Sequence, residues 1–387
     1  MWKGERASFS LIKEKLVPGA EYAWFHAASL GEFEQGRPII EEYRKIYPEK
    51  KILLTFFSPS GYEVRKDYEG ADIVAYLPID TPTNARRFLR TIRPSVAFFI
   101  KYEFWYNYLH ILRHRNVPVY SVSSIFRPDQ IFFKWYGKQY RNVLNCFTHF
   151  FVQNEESKQL LHSVGIDNVD ITGDTRFDRV MHIARQSKDV KVVEAFADGY
   201  KIFVAGSSWL PDEKIFIPYF NDRRDWKMVI APHVIDNSHI QQIIELLPGK
   251  RVLLYSQVSE NETELLKQAD VLIIDCFGLL SSIYKYGDVA YVGGGFGAGI
   301  HNLPEAAVWN IPVIFGPNNQ KFKEAQELKL CGGGLEIYNA DDFSFVMNRF
   351  VAEPLVLKQA SDAAGLYVKS HSGATDRLLQ LVQNSNN

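Results

Sequence analysis

Cysteine, long apolar runs and net charge are all scarce in this sequence, and each scarcity excludes a class of protein. The 387 residues include three cysteines, Cys146, Cys276 and Cys331, whose odd number and wide spacing indicate neither a disulfide framework nor a zinc cluster. We therefore expect a reducing compartment. No apolar run reaches the about 18 residues that span a bilayer, and no signal-peptide pattern is present. With a net charge of −1, the chain as a whole has no positive electrostatic field that would attract nucleic acid.

Apolar and aromatic residues, by contrast, are plentiful. They make up 46% and 14% of the chain, which is long enough for two buried cores. The charge is unevenly distributed, because residues 1–180 carry 25 basic and 21 acidic residues, whereas the remainder carries 19 and 24. A slightly basic, aromatic-rich first half would suit an acidic or amphiphilic partner.

Short apolar runs alternate with longer amphipathic stretches along the whole chain. Continuous rather than alternating hydrophobicity predicts strands covered on both faces, as in parallel sheets, and two sets of such units predict two doubly wound α/β domains. The predicted runs are Tyr22–Ala27, Ile52–Phe57, Ile73–Leu77, Val96–Ile100, Val117–Val122, Phe150–Val152, Ile202–Ala205, Met228–Ala231, Val252–Tyr255, Val271–Ile274, Val289–Val292 and Val313–Phe315. We place the domains at 1–184 and 200–370, with a charged seam at 185–200. Residues 371–387 are expected to end a helical stretch able to return to the first domain.

A glycine-rich loop that begins at Gly293 is the most informative segment. Five glycines in seven positions let a backbone approach a ligand closely, and Pro304 marks the start of a helix whose N–H groups would face that ligand. His301, Asn302 and Glu305 add polar side chains at the same edge. The pattern predicts a site for a phosphorylated or sugar-like ligand. The alternative is a turn that merely needs unusual dihedral angles.

A second motif, His26-Ala-Ala-Ser29-Leu-Gly31-Glu32, follows the first apolar run. Open α/β sheets bind ligands at the carboxyl ends of their strands, so Glu32 is a candidate general base. A carboxylate at a helix start can equally be a simple cap. Burial beside aromatic residues would favour the catalytic interpretation by raising the pKa of Glu32.

Three further strand ends carry polar or small residues. Glu103 lies in an aromatic-rich turn, either as its hydrogen-bonding anchor or as a ligand contact. Ser207 and Ser208 precede a helix start that could hold a phosphate, although capping alone explains Ser208. The turn that contains Gly278 and Leu280 could expose backbone groups to a base edge.

A basic stripe is predicted on a helix within residues 131–147. Lys134, Lys138 and Arg141 are spaced to share one helical face among several aromatic residues. The stripe is either a solvated face over a buried aromatic one or a surface for anionic headgroups.

Taken in order, these segments resemble the 3-deoxy-D-manno-octulosonic acid (Kdo) transferases of lipopolysaccharide assembly. The resemblance runs from about Trp24 to Pro317. The motifs that carry it are His26-x-x-Ser29-x-Gly31-Glu32, Ser58-Pro59-Ser60-Gly61, Leu77-Pro78-x-Asp80, Glu103-Phe104-Trp105-x-Asn107, Gly173-Asp174-x-Arg176-Phe177-Asp178 and Gly293-Gly294 with His301-Asn302-x-x-Glu305.

The resemblance implies a GT-B fold, in which two Rossmann-like domains face each other across a cleft. It implies inverting transfer of Kdo from CMP-Kdo to the lipid A precursor lipid IVA, without a metal or other cofactor, at the cytoplasmic face of a bacterial inner membrane. Glu32 matches the catalytic base. The implied donor-binding residues are Ser207, Ser208, His233, Gly278, Leu280, Gly294, Gly295, His301, Asn302 and Glu305. Those of the acceptor side or cleft are Ser29, Gly31, Ser58, Glu103 and Arg176, and Lys134, Lys138 and Arg141 would meet the anionic membrane.

The sequence departs from the family pattern at several positions. Lys101 and Tyr106 stand where the family often has Glu and Pro, and Arg176 stands where it usually has Lys. His233 follows Pro232 directly where an arginine is usual, so His233 or another basic residue would replace that donor contact. Relatives usually begin with an apolar anchoring helix, which the first residues here do not resemble. We expect docking either through such an anchor, absent from this chain, or through the aromatic and basic surface.

Other functions remain open at this point. A GT-B enzyme that uses UDP-sugars, either a transferase or an epimerase, would use the same glycine loop. A dinucleotide oxidoreductase is disfavoured, because no acidic residue ends a strand about 20 residues after the glycines. A non-catalytic scaffold that keeps this fold at a membrane is the remaining alternative.

Overall fold

The computed structural model describes residues 2–385, with side chains for residues 7–384, and divides into two units. The first unit combines residues 1–179 with 371–387, and the second contains residues 180–370. The stretch 185–200, where we expected the seam, contains helix Lys191–Ala197 and belongs to the second unit.

The first unit is built on a parallel sheet in the order β3-β2-β1-β4-β5-β6-β7. Its strands are β1 (Tyr22–His26), β2 (Lys51–Phe56), β3 (Ile73–Tyr76), β4 (Val96–Ile100), β5 (Val119–Ser124), β6 (His149–Val152) and β7 (Val169–Ile171). The helices are α1 (Trp2–Lys15), α2 (Leu30–Ile46), α3 (Pro59–Arg65), α4 (Pro82–Ile92), α5 (Tyr106–His114), α6 (Glu155–His162) and α7 (Thr175–Gln186), the last of which crosses the boundary between the units.

The second unit repeats this plan in the order β10-β11-β9-β8-β12-β13-β14, again with parallel pairing. Its strands are β8 (Lys201–Ser208), β9 (Trp226–Pro232), β10 (Val252–Leu254), β11 (Val271–Ile273), β12 (Val289–Val292), β13 (Val313–Phe315) and β14 (Gly334–Glu336). The helices are α8 (Lys191–Ala197), α9 (Leu210–Asn221), α10 (Asn237–Glu245), α11 (Thr263–Gln268), α12 (Leu280–Ile283), α13 (Pro304–Ala307), α14 (Lys323–Cys331), α15 (Ala340–Ala352) and α16 (Pro354–His371).

All twelve predicted apolar runs form strands, and the two doubly wound sheets are as expected. The sequence missed β7 and β14, each three residues long and each at an edge of its sheet. An edge strand is less completely covered than a central one, so its sequence need not be a continuous apolar run. In β7 the burial falls from Val169, which is buried, to Ile171, which is exposed.

Each face of the first sheet has its own core. Successive side chains of a strand point to opposite faces. Trp24 and Phe99 therefore pack on one face, with ring centroids 5.1 Å apart, and Phe25 and Phe98 stack on the other, 4.6 Å apart. Because these strands are buried on both faces, they appear in the sequence as unbroken apolar runs.

The C-terminal helical stretch is broken into two helices, α16 and α17 (Ala374–Ser385). The break lies at Gly373, whose φ of 88° is a left-handed value that favours glycine. Helix α17 buries Leu378, Leu379 and Val382 in the first unit's core beside Phe25. Asn386 and Asn387, the end of the predicted segment, lie outside the described residues.

The helix predicted within residues 131–147 is wrong. The segment forms three short 3₁₀ turns, Ile131–Phe133, Trp135–Gly137 and Tyr140–Cys146. Arg141 folds back across them, because its Nε donates to the Phe132 carbonyl at 2.6 Å and its Nη2 donates to the Lys134 carbonyl at 3.1 Å. Aromatic and β-branched residues with a central glycine also have low helix propensity. The basic residues therefore do not form one helical stripe.

Candidate functional site

A buried histidine organises the carboxyl ends of β1, β2 and β4 in the first unit. His26, the last residue of β1, has its Nδ1 2.9 Å from the Thr55 hydroxyl and its Nε2 3.3 Å from Glu103, a contact not aligned as a hydrogen bond. Trp105 Nε1 donates to the same Glu103 oxygen at 2.6 Å. Burial alone would raise the pKa of Glu103, but His26 and Trp105 outweigh it and leave that pKa below its ordinary value. Glu103 thus anchors the turn, one of the two roles that its motif suggested.

Glu32 lies at the third position of α2 and is partly exposed. Its Oε2 accepts hydrogen bonds from the Ser29 backbone N–H and from the Ser29 hydroxyl, each at 2.7 Å. Glu32 is therefore a helix cap, as the simpler interpretation of its motif expected. No residue within 2–385 donates a hydrogen bond to its other oxygen, Oε1, so one side of the carboxylate is available to a ligand.

The residues around Glu32 leave room for a ligand. A Cβ added at Gly31 would meet nothing within 4 Å, so the position is open rather than filled by packing. The Ser58 backbone donates to the Ala28 carbonyl at 2.7 Å, which ties the loop after β2 to the loop that carries Ser29. The Ser58 hydroxyl accepts from Ser60 and caps α3.

Arg176 and Lys101 bring positive charge to this edge of the sheet. Arg176 pairs with Asp174 at 2.8 Å at the start of α7. Lys101 follows β4, and its pKa is lowered by burial and by Arg176, an effect that Glu32 and Asp174 partly offset. From the sequence alone, Lys101 is notable only as a departure from a family pattern. Its charge environment depends on the start of α7 lying against β5, the neighbour of β4, and the sequence does not reveal this placement.

In the second unit, Ser208 is fully buried and belongs to a polar chain that the sequence missed. Its hydroxyl donates to Glu213 at 2.8 Å, and the other Glu213 oxygen lies 2.8 Å from Nε2 of His239. Ser208 therefore holds the end of β8 in place. The preceding residue, Ser207, has a φ of 51° at an irregularity in the pairing of β8 with β9, and is partly exposed.

Asp212 joins the start of α9 to the glycine loop. Its carboxylate accepts from the Trp209 N–H at 3.0 Å, from the Gly294 N–H at 2.9 Å and from the Tyr291 hydroxyl at 2.8 Å. The glycines are needed because backbones meet here. A Cβ on Gly295, for example, would lie 2.6 Å from Cα of Gly316. Close packing thus accounts for part of the glycine pattern that the sequence alone assigns to a ligand site.

Three rings stack where β8, β9 and the glycine loop converge. Trp209 lies 4.6 Å from His233, and His233 lies 4.4 Å from His301, with interplanar angles of 27° and 21°. Trp209 Nε1 also donates to Nε2 of His301 at 3.3 Å. Burial and the neighbouring His233 lower the pKa of His301, and Asp212 offsets part of this effect. The stack is a flat, partly exposed surface with two titratable rings.

The remaining candidates of the second unit follow β11 and β12. Asn302 donates to Glu305 at 2.7 Å. Helix α13 begins at Pro304 as predicted, but it is a single turn, so its dipole adds little. Gly278, with a φ of 89°, is exposed after β11, and Leu280 begins α12.

Among the residues that the structure describes, no three His, Cys, Asp or Glu side chains are grouped as metal ligands would be.

Within residues 2–385, no helix combines the length and apolarity needed to cross a bilayer.

Comparison with known proteins identifies related sequences. The sequence model of the family described as 3-deoxy-D-manno-octulosonic-acid transferase (kdotransferase) matches residues 4–179. A 3-deoxy-D-manno-octulosonic acid transferase of Aquifex aeolicus is 26% identical over 367 residues, which cover 92% of this chain and 94% of the relative. One from Bordetella pertussis is 28% identical over 384 residues, covering 95% and 88%. Both alignments extend through the two units.

A solved structure shares the fold. The UDP-GlcNAc 2-epimerase of Neisseria meningitidis, bound to UDP-GlcNAc, superposes with a TM-score of 0.65 at 15% identity, covering 94% of this chain and all of the other. Two doubly wound units of this kind identify the GT-B fold. The family's own domain matches the first unit and relatives of the same name align along both units, so the chain is similar over most of its length to 3-deoxy-D-manno-octulosonic acid transferases, which are glycosyltransferases.

Proposed function

We propose that this protein transfers Kdo, with inversion, from CMP-Kdo to lipid IVA, the lipid A precursor. Similarity to the family supports Kdo transfer in lipopolysaccharide assembly. The identities of the donor and of the acceptor are the additional part of the proposal. The observation that carries the proposal is the placement of Glu32. It lies at the carboxyl edge of a doubly wound sheet, oriented by Ser29 through one oxygen, with the other oxygen available.

In this mechanism, the Glu32 carboxylate accepts the proton of the acceptor hydroxyl. The hydroxyl oxygen forms a bond to the anomeric carbon of Kdo as the bond from that carbon to the CMP phosphate oxygen breaks, and the electron pair leaves with CMP. Attack opposite the leaving group inverts the anomeric centre. Ser29 holds the Glu32 carboxylate in one orientation at the helix start. The carboxylate therefore loses less conformational freedom when the reaction takes place.

We assign the donor to the second unit. The surface formed by Trp209, His233 and His301 offers flat rings and nitrogen atoms to an anionic nucleotide sugar. A bound phosphate would favour protonation of His301, and the resulting positive charge would stabilise the departing CMP. Asn302 and Glu305 add polar groups beside the rings.

The proposal includes no cofactor. A monophosphate leaving group develops less charge than a diphosphate, so hydrogen-bond donors and imidazolium groups suffice to stabilise it. The rate of Kdo transfer should therefore be unchanged when EDTA is added. A rate that required added Mg²⁺ would contradict this part.

We also propose that the protein works on the cytoplasmic face of the inner membrane, where its lipid acceptor is found. Support comes from the aromatic loop of residues 131–140, in which Trp135 is 89% exposed and Tyr136 and Tyr140 are each 58% exposed. Lys138 is exposed beside them. Amphipathic aromatic rings next to lysines suit an anionic bilayer interface.

The test of the mechanism is Glu32→Gln, which keeps the size of the side chain but cannot accept a proton. Transfer from CMP-Kdo to lipid IVA, followed by product mass spectrometry, should slow by about 10²–10⁴-fold. Glu42→Gln is the matched control, because Glu42 lies on the same helix but pairs with Lys45 at the surface. Near-normal turnover of the Glu32 variant would remove Glu32 from the mechanism.

Nucleotide competition tests the donor separately. CMP should inhibit the transfer and protect the second unit from hydrogen exchange near His301, whereas UDP should do so at much higher concentration. A clear preference for UDP would favour a UDP-sugar enzyme instead.

A further inference from the structure

Lys101 adopts a backbone conformation that is costly for a lysine. Its φ is 63°, in the left-handed region where glycine is comfortable. Two hydrogen bonds hold it there. The Lys101 N–H donates to the Val122 carbonyl at 2.8 Å, and the Ser124 hydroxyl donates to the Lys101 carbonyl at 3.0 Å. Strained residues cluster at functional sites, so Lys101 is a candidate for a functional role.

The carboxylates near Lys101 are already engaged. Asp174 accepts from the Arg176 N–H at 2.9 Å, from its Nε at 2.8 Å and from Gln35 Nε2 at 3.3 Å. One oxygen of Glu32 is held by Ser29. Each carboxylate therefore has its own partner, and neither forms a salt bridge with the Lys101 ammonium.

Within residues 2–385, the ammonium of Lys101 has no hydrogen-bond acceptor or ion-pair partner, and neither does the guanidinium of Arg127, which is exposed. The three cations lie on neighbouring segments, because Ser124, which donates to the Lys101 carbonyl, lies three residues before Arg127, and the Thr175 N–H, next to Arg176, donates to the Ser123 hydroxyl at 3.3 Å. The pKa of Lys101 is lowered despite the two nearby carboxylates, because burial and the neighbouring cations outweigh them. Positive charge at this edge is thus incompletely neutralised.

We infer that Lys101, with Arg127 and Arg176, forms a subsite for an anionic oxygen group of a substrate, beside Glu32. A phosphate monoester or a carboxylate has the required chemistry, since both accept several charge-assisted hydrogen bonds. The inference rests on the proposed function for the identity of the substrate. It adds residues that the proposed mechanism does not use.

Two substrate groups have this chemistry. One is a phosphate of the acceptor, and binding it would bring the attacking hydroxyl to Glu32. The other is the carboxylate of the donor sugar. Either would supply the counter-ion that Lys101 lacks, and kinetics with each substrate varied in turn distinguishes them.

The experiment compares four variants. Lys101→Met keeps the length of the side chain without the charge. Lys101→Gly removes the charge and also relieves the backbone, so it should fold at least as stably as the wild type. Lys101→Arg keeps the charge. Lys66→Met is the matched control, because Lys66 is an exposed lysine of the same unit.

The Met and Gly variants should raise the KM for one substrate about tenfold or more and change kcat little, as expected for loss of a charge-assisted contact. The Arg variant should stay close to wild type. An increase in the acceptor KM identifies the phosphate, and an increase in the donor KM identifies the carboxylate. If both KM values stay within twofold of those of the Lys66 control, the subsite is rejected.

A second measurement separates this inference from the proposed function. Inorganic phosphate, titrated into the free enzyme and followed by NMR, should bind the wild type and bind Lys101→Met at least several-fold more weakly. If the wild type transfers no Kdo but this difference holds, the proposed function fails and the anion subsite stands. If Kdo is transferred but phosphate binds both proteins equally, the subsite fails and the function stands.

Discussion

At the scale of single residues, His239 and Glu213 form a buried pair in the second unit. Its Nδ1 lies 3.0 Å from the Val234 carbonyl, which can only accept, so Nδ1 carries a hydrogen. Its Nε2 faces Glu213 at 2.8 Å, and one proton must lie between them. Burial raises the pKa of Glu213, although its contacts with His239 and Ser208 offset part of the effect, so we predict that the proton lies on Glu213 and that the pair is neutral.

Glu213→Gln tests this assignment. The amide would donate to His239 and accept from Ser208, so we expect an unfolding free energy within about 1 kcal/mol of wild type at neutral pH, whereas Glu213→Ala should lose about 2–3 kcal/mol. Because the pKa of folded Glu213 is raised, its stabilising contribution is complete below its unfolded pKa and is lost as the pH rises. The wild type should therefore lose stability relative to the Gln variant as the pH rises above about 4.5, the ordinary pKa of a glutamate. Urea denaturation at acidic and at neutral pH provides the measurement, and a Gln variant as unstable as the Ala variant would indicate an ionised pair.

At the scale of elements, α17 shows how one side chain fixes the position of a helix. Asp178 of α7 accepts from the N–H and the hydroxyl of Thr375, each at 2.7 Å, and from the N–H of Gly373. Arg377 Nη2 donates to the Thr172 carbonyl at 2.6 Å. These contacts place the start of α17 on the first unit, and its apolar face then enters the core.

Asp178→Ala should therefore loosen α17 selectively. Loss of the cap should cost about 1–2 kcal/mol. Amide hydrogen exchange should speed up along α17 and remain unchanged in β8 and β12. Asp376→Ala is the control, because Asp376 lies on the same helix and is exposed. Equal effects of the two substitutions would mean that Asp178 does not hold the helix.

At the scale of the whole molecule, the proposed membrane contact depends on surface chemistry that no single helix supplies. The aromatic loop of residues 131–140 presents Trp135, Tyr136 and Tyr140, and Lys134 and Lys138 lie beside them. Arg141, which we expected in the same stripe, instead braces the loop through the Phe132 and Lys134 carbonyls. The membrane role of this surface stays a prediction.

Trp135→Ala should weaken binding to vesicles that contain anionic lipid by about tenfold, because the substitution removes the indole ring that would insert at the bilayer interface. Lys134→Ala with Lys138→Ala should weaken it most at low salt, since salt screens exposed charges. Co-sedimentation with vesicles measures both effects. Phe345→Ala is the control, because Phe345 is a 69% exposed aromatic residue of the second unit. An equal loss in the control would leave the aromatic loop without a specific role.

The sequence by itself determined most of the fold. Strands buried on both faces must be apolar throughout, and strands such as β1 and β12 are recognisable for that reason. It also placed Glu32, Ser207 and His301 at strand ends, because β/α alternation brings the carboxyl ends of parallel strands to one edge.

Only the tertiary structure decided what those side chains do. Asp212 meets Gly294 across 82 positions of sequence, and Asp178 meets Thr375 across 197. The charge environment of Lys101 arises where β4, α2 and α7 converge. Hydrogen bonds and charges act through distance in space, and local propensity carries no information about partners so far apart in the chain. The sequence therefore identified where the chemistry is located, and packing decided which groups are engaged and which remain available.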